Sequence, residues 1–269
     1  METEKNRTFY SNIRNIRGLS IIELMLGIFL SCIILFVALD VLSSQDKVFN
    51  TQYDISDSQH NIRIAMKRLS NDLMSAGFGR PSWTTVNGFS NMNFSVRYSG
   101  GDLDIVGCLD RPKGMLASSV SAGSSSVTLK TGQGSNFNTT DKSDIKIGDG
   151  ENVKIVGISG DTLTIDADPT LSDDQVLKYS YNADTEVYIV KWVTYSIDNS
   201  NTSKPVLKID EHRGAGAQTI AEYVDGMSVS ISGNAVDITL TGRTKNPSKT
   251  TGQFVGSVMA NKIIMRNVQ

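Results

Sequence analysis

Cysteine and histidine are scarce in this chain: Cys32 and Cys108, His60 and His212, are all there are in 269 residues. Cys32 lies inside an apolar run, so bridging it to Cys108 in a soluble domain requires awkward geometry, and no disulfide framework is expected. The cysteine spacing fits no zinc motif and the histidines stand apart in sequence, so no metal site built from Cys and His is expected. A strong charge of one sign is also lacking. The net charge is −2, of which the first 18 residues carry +2 (Lys5, Arg7, Arg14 and Arg17 against Glu2 and Glu4) and the rest −4. Such a mildly acidic body offers no electrostatic basis for sequence-independent nucleic-acid binding, and nucleic acid is not an expected partner.

Catalytic signatures are missing as well. There is no G-x-S-x-G elbow, H-E-x-x-H, Walker A or Rossmann fingerprint, so neither an enzyme nor a cofactor is expected. Three weaker features remain. Asp166 and Asp168 would share a strand face, either as an acid pair or as a solvated loop end. His60 falls on an amphipathic helix with a solvated face, and His212 falls where a turn is expected, in Glu211-His212-Arg213-Gly214. Asp141-Lys142-Ser143-Asp144 through Asp149-Gly150 is the nearest approach to a calcium loop, but it lacks the alternating EF-hand ligands.

One further absence is informative: no charged residue occurs from Leu24 to Leu39. A helix over residues 19–42 is roughly 36 Å long, enough to cross a hydrocarbon core of ~30 Å. Arg14 and Arg17 precede it, and no Lys or Arg follows until Lys47. The positive-inside rule then keeps the preceding segment cytoplasmic and translocates the body. A secretory signal peptide is cut after its apolar stretch at small residues, and Ala38-Leu39-Asp40 is a poor site of that kind. An uncleaved signal anchor is the alternative, but it leaves Glu23 unexplained, because a carboxylate in an apolar segment is costly.

Gly18-Leu19-Ser20-Ile21-Ile22-Glu23-Leu24 resembles the prepilin processing motif of type IV pilins and type II secretion pseudopilins. The resemblance implies a leader over 1–18, cleaved on the cytoplasmic side after Gly18 by a prepilin peptidase/N-methyltransferase. It also implies N-methylation of Leu19 and a filament-assembly role for Glu23, whose carboxylate would meet the Leu19 amine of a neighbouring subunit. Two residues depart from the commonest pattern: Leu19 stands where phenylalanine is usual, and Asp40 stands where many major pilins have a helix-kinking proline.

The helix is expected to continue to residue 77, with an amphipathic part over about 45–76. Val48, Ile55, Ile62 and Leu69 recur every seven residues, and Met66 and Leu73 extend the stripe. Gln52 and Gln59 interrupt its first half, where partial exposure is expected. The spacing suits docking on the protein's own sheet, and a coiled coil is the alternative. Gly77 is a natural left-handed C-cap, with Pro81 beyond it. Ala76-Gly77-Phe78, and Arg266-Asn267 near the end, resemble segments of PilW- and PulJ-type minor subunits.

Residues 78–269 read as a β-rich body. Strands are expected at 102–106, 126–130, 144–147, 153–156, 162–165, 186–195, 206–209, 227–231, 235–240 and within 258–268. Ser159-Gly160-Asp161 is expected to form a hairpin turn, and Val224 to Gly226 a further turn. The four strands between about 117 and 176 suggest a β-rich subdomain inserted into the main sheet. The expected class is α+β and pilin-like: a long N-terminal transmembrane and amphipathic helix packed on an antiparallel sheet.

The expected function is that of a minor pilin or pseudopilin, acting in filament initiation or near the tip. A type II secretion pseudopilus subunit and a membrane-anchored periplasmic binding protein or enzyme are the alternatives. Expected partners are the peptidase, other minor and major subunits, the inner-membrane assembly platform and membrane lipid. The expected location is the inner membrane with a periplasmic body, and then the filament. Because Glu23 is retained, the subunit is suited to having a neighbour above it rather than to the terminal position.

Overall fold

A computed structural model describes residues 20–81, 85–86, 89–90, 94–169 and 175–267. The chain divides into two compact units, Met1–Thr51 and Gln52–Gln269. One helix, α1 (Ile21–Ser75), contributes to both.

In the first unit every helical residue from Ile21 to Asn50 is exposed, including Leu24, Phe29, Ile34, Leu35 and Phe36. A helix apolar on all sides needs lipid or other helices around it. This one is long and apolar enough to cross a membrane.

In the second unit α1 becomes one-sided. Ser58, Ile62, Ala65, Met66, Leu69, Asp72 and Leu73 are buried at the three-and-four spacing of a docked helix face. Val48 is exposed and Ile55 only partly covered, so burial begins at Ser58. The helix stops where Gly77 takes φ +80° and its N–H turns to the carbonyl of Val106 at 2.9 Å. A Cβ there would collide with the Asn267 carbonyl and lie 2.8 Å from Ser95 Oγ. Left-handed strain and a backbone clash therefore add at one position. Gly77→Ala is expected to destabilise the fold by roughly 2–4 kcal/mol, read as a lowered thermal midpoint of the detergent-solubilised chain.

The strands follow in chain order. β1 (Thr85–Val86) and β2 (Phe89–Ser90) pair with each other; β3 (Val96–Ser99), β4 (Asp102–Gly107) and β5 (Gly114–Met115) come next. β6 (Ser126–Thr128), β7 (Asp144–Ile147), β8 (Asn152–Ser159), β9 (Thr162–Asp166) and β10 (Glu186–Ile189) make up the middle of the chain. The last six are β11 (Lys191–Asp198), β12 (Val206–Asp210), β13 (Gln218–Glu222), β14 (Val224–Ser232), β15 (Ala235–Arg243) and β16 (Gly256–Ile264). The chain is thus α+β, and all of its strand pairs are antiparallel among the described residues.

Two sheets enclose the docked face of α1. One has the order β13-β12-β11-β4-β3 and the other β14-β15-β16. Ile62, Leu69 and Leu73 share a core with Leu103, Ile105, Val193 and Leu207 of the first sheet, and with Val236, Ile238 and Leu240 of the second. Each fully buried Leu or Ile contributes about 1.5–3 kcal/mol relative to exposure. The expected single sheet is therefore two. The break falls at Tyr223, a non-glycine residue at φ +59° that turns the chain out of β13 and into β14.

A six-stranded sheet of order β5-β10-β7-β8-β9-β6 has its own core around Leu116, Ile145, Ile147, Val153, Ile155, Leu163, Ile165 and Val187. It draws on Gly114 through Ile189, whereas 117–176 contains only β6 to β9. The strand expected over 186–195 is two strands in two sheets. Up to Ile189 it pairs with β7, and from Lys191 it pairs with β4. At the joint the Val190 N–H donates to the Asp144 carbonyl at 2.8 Å, and the Val190 side chain is buried with Val106 and Cys108. The turn expected at Val224–Gly226 is instead a bulge inside β14, where Gly226 faces Thr241 so closely that a Cβ would strike its hydroxyl.

Candidate functional site

Gly18 and Leu19, the expected cleavage and methylation residues, lie outside the described residues. Glu23 is described, at the third position of α1, where its Oε2 accepts the backbone N–H of Ser20 at 3.1 Å. Ser20 precedes the helix, so Ser20-Ile21-Ile22-Glu23 has the spacing and one of the two hydrogen bonds of a capping box. A local helix-capping role for Glu23 went unread in the sequence, although the S-x-x-E pattern carries it. Glu23, Gly27 and Ser31 follow at four-residue intervals and line a shallow groove with Leu24, Ile28 and Leu35. Ser31 satisfies its hydroxyl by donating to the Gly27 carbonyl at 2.8 Å.

In the body, a charged seam joins helix to sheet. Tyr195, fully buried on β11, donates its hydroxyl to Asp72 of α1. Asp72 also faces Arg68 at 3.4 Å, Arg68 faces Glu211 at 3.6 Å, and Glu211 faces Lys191 at 3.1 Å. Lys191 reaches Asp110 at 2.6 Å. Burial pushes the Asp72 carboxyl above its ordinary value, and the Tyr195 hydroxyl and Arg68 offset only part of that. Burial also acts to raise Asp110, but Lys191 and Lys113 together outweigh it and hold that carboxyl below the usual range.

The opposite face of the same sheet carries a second network. Asp104 accepts Arg97 Nη2 at 2.6 Å and Nε at 3.1 Å, Thr194 Oγ1 at 2.6 Å and Trp192 Nε1 at 3.2 Å. Thr194 Oγ1 lies 2.8 Å from His212 Nε2, and the imidazole stacks on Trp192 with centroids 3.4 Å apart. Because the threonine hydroxyl donates to the carboxylate, His212 Nε2 must carry the proton it shares with that hydroxyl. This order places the hydroxyl between acid and imidazole. A nucleophilic triad requires the imidazole between acid and hydroxyl. Burial lowers the His212 pKa, opposed by Asp210 and Asp104. His212, isolated in sequence, is thus a fastener of this network.

The remaining candidates separate. His60 is exposed on α1. Asp166 ends β9 and Asp168 lies beyond it, with the Asp168 N–H donating to Asp166 Oδ1 at 3.2 Å, so the two do not share a strand face. In the acidic loop the Asn138 side chain accepts the N–H groups of Thr140 and Lys142, which builds a turn. Among the described residues no three of His, Cys, Asp or Glu gather to hold a metal ion. Cys32 is exposed and Cys108 buried, both as free thiols, and burial pushes Cys108 up to about 12.

The two segments with the weaker resemblance meet. Gly77 and Phe78 line one polar cavity with Arg266 and Asn267. Sequence separation concealed this, and only the close approach of Asn267 to Gly77 reveals it.

Fold and site define an α+β protein with a membrane-length N-terminal helix and a β-rich body. No protein-family model matches the chain, and no curated protein or solved structure matches it.

Proposed function

We propose that this chain is a minor pilin or pseudopilin, processed by a prepilin peptidase and assembled through its N-terminal helix into a type IV pilus, in filament initiation or near the tip. The observation that carries the reading is the joint occurrence of Gly18, Glu23 and a basic leader ahead of α1. An apolar, fully exposed helix segment running into a segment docked on antiparallel sheets supports it. The six-stranded sheet makes the body large for a repeating major subunit, which favours a low-abundance role. Leu19 would be the methylated terminus, its amine paired with Glu23 of a neighbour, and the body would face the periplasm before assembly.

The test is cleavage. Incubated with a prepilin peptidase, the chain is expected to lose the mass of residues 1–18, and Gly18→Val is expected to stay intact. Full-length mass in the wild type, or cleavage unaffected by the substitution, would sink the reading.

A further inference from the structure

We infer that the free edge of β16 is a docking site for an extended acidic segment of another protein, which adds to the β14-β15-β16 sheet as a fourth strand. β16 is the last strand of that sheet and runs from Gly256 to Ile264 without proline or bulge. The Met265 N–H donates to the Asn234 carbonyl at 2.8 Å and the Thr244 N–H to the Val255 carbonyl at 3.0 Å, one bond at each end of the β15–β16 ladder. In an antiparallel ladder, residues alternate between turning their backbone groups to the partner and turning them away. Both end bonds give the odd-numbered residues of β16 to β15, in the register Ile263 to Val236, Asn261 to Ile238 and Met259 to Leu240. The N–H and C=O groups of Val258, Ala260 and Lys262 therefore point away from the sheet, and among the described residues no backbone group bonds to them. The inference stands on this edge and does not depend on the filament reading.

The other edges of the two sheets around α1 are short or interrupted. β3 has four residues and β13 five, and the ladder that joins β13 to β12 is bulged. β14 is as long as β16, but its register shifts at Gly226 and its Met227 carbonyl accepts the Tyr98 hydroxyl at 2.8 Å. An open row of backbone groups is a template for another strand, and folded proteins blunt such rows with short strands, bulges or charges. β16 is long and regular, and Lys262 is its only charged residue.

The flanks of the edge decide the occupant. Asn261 Nδ2 donates to Ser70 Oγ of α1 at 3.1 Å. A cleft of about 280 Å³ separates Gln59, Ile62 and Arg63 of α1 from residues 256–259 of β16. Side chains of an added strand alternate between this flank of α1 and the outer face of the sheet. Arg63 lines the cleft, and Lys67, one turn nearer Ser70, continues the same flank. Both are exposed, and α1 carries no acid from His60 to Asn71. On the outer face Val258 is 70% exposed, Ala260 and Lys262 are exposed, and Asp237 stands opposite Lys262 in register. The edge thus suits carboxylates turned towards α1 and apolar residues beside Val258 and Ala260. A second copy of the chain is the poorer fit, because β16 carries Lys262 and no acid, and self-pairing sets one basic edge against another.

The experiment uses the full, detergent-solubilised chain and a capped, fluorescent peptide of alternating valine and glutamate, matched in length to β16. Its anisotropy is expected to report a Kd of about 100 μM or tighter, weakening as salt is raised. The same peptide with lysine in place of glutamate is expected to bind at least about tenfold more weakly. Ala260→Pro removes an N–H that the fold does not use, at an edge position where proline is tolerated. It is expected to keep the thermal midpoint within about 3 °C of wild type and to weaken binding at least about tenfold. Arg63→Gln combined with Lys67→Gln, both at exposed positions, is expected to weaken binding about fivefold and flatten its salt dependence. In the free chain the amides of Val258, Ala260 and Lys262 are expected to exchange hydrogen at least about tenfold faster than those of Met259 and Asn261. The proposal is overturned if the glutamate peptide does not bind at about 1 mM, if the lysine peptide binds equally well, or if either variant binds as tightly as wild type. Slow exchange at all five amides in the monomeric chain would overturn it too, by showing the edge already paired within the fold. Self-association that Ala260→Pro abolishes would give the edge to a second copy instead.

Discussion

Glu23→Gln is expected to leave α1 and its processing intact while lowering incorporation into filaments at least about tenfold. The two roles open to Glu23 separate cleanly in this variant. As a helix cap its oxygen accepts the Ser20 N–H, and a glutamine amide oxygen accepts the same bond. As the partner of a neighbour's Leu19 amine it must be charged. Removing one member of a buried ion pair costs about 3–5 kcal/mol, because the other charge stays buried alone. Every ~1.4 kcal/mol is a factor of ten, so even a half-realised pair yields the stated loss. The measurement is the amount of this subunit in purified filaments relative to its amount in the membrane. Wild-type incorporation of Glu23→Gln would reduce Glu23 to a local cap. Glu23→Leu removes cap and charge together, and is expected to lose at least as much.

The second large effect concerns the seam between helix and sheet. Tyr195→Phe is expected to destabilise the body by about 2–3 kcal/mol at neutral pH, since it strips a hydrogen bond from a buried carboxylate. The pH dependence follows from the direction of the Asp72 shift. Its folded pKa is raised, by burial first, above the ordinary 3.8. Protonated Asp72 therefore favours the fold. That contribution is complete below about pH 3.8, and it is lost as pH rises through the folded value. Losing the Tyr195 hydroxyl removes support for the charged form in particular and pushes the folded pKa higher. The variant's deficit should shrink to about 1 kcal/mol once Asp72 is protonated, because only a neutral hydrogen bond is then lost. Urea unfolding at pH 7 and near pH 3 measures both. An equal deficit at the two values would mean that Asp72 is not the group the tyrosine serves.

Much of the strand inventory was legible because it rests on local pattern. Asp144–Ile147 and Thr162–Asp166 alternate apolar and polar residues between turn formers, and Gly160-Asp161 closes the β8–β9 hairpin. The docked face of α1 was legible for the same reason, from Ile62 to Leu73. What was not legible was the assignment of strands to sheets. Residues 186–195 read as one strand because each residue alternates correctly. The change of partner at Val190 depends on where Asp144 and Val106 stand, far away in sequence. β13 was missed because Gln218–Glu222 has a weak apolar alternation and pairs only at a sheet edge.

The candidate sites divide along the same line. Glu23 is conspicuous because a lone carboxylate in an apolar run contradicts its surroundings, and such contradictions are visible without coordinates. Asp72 is disguised by its charged neighbours along the helix, so its burial against Tyr195 has no sequence signal beyond its place between Leu69 and Leu73. Lys146 alternates within β7 like any solvated lysine, yet it is buried because Phe78 and Gly79, in the turn after α1, lie against it.

By itself the sequence determined the apolar helix, its charge asymmetry, the spacing of Gly18 and Glu23 and the periodicities of the helix and most strands, since these depend on residues a few positions apart. Only the tertiary structure decided that the described residues of the body form three main sheets. It alone set which polar side chains are drawn into burial, and brought Gly77 and Phe78 beside Arg266 and Asn267. Those outcomes turn on which distant surfaces exclude water from one another, and no local pattern encodes that.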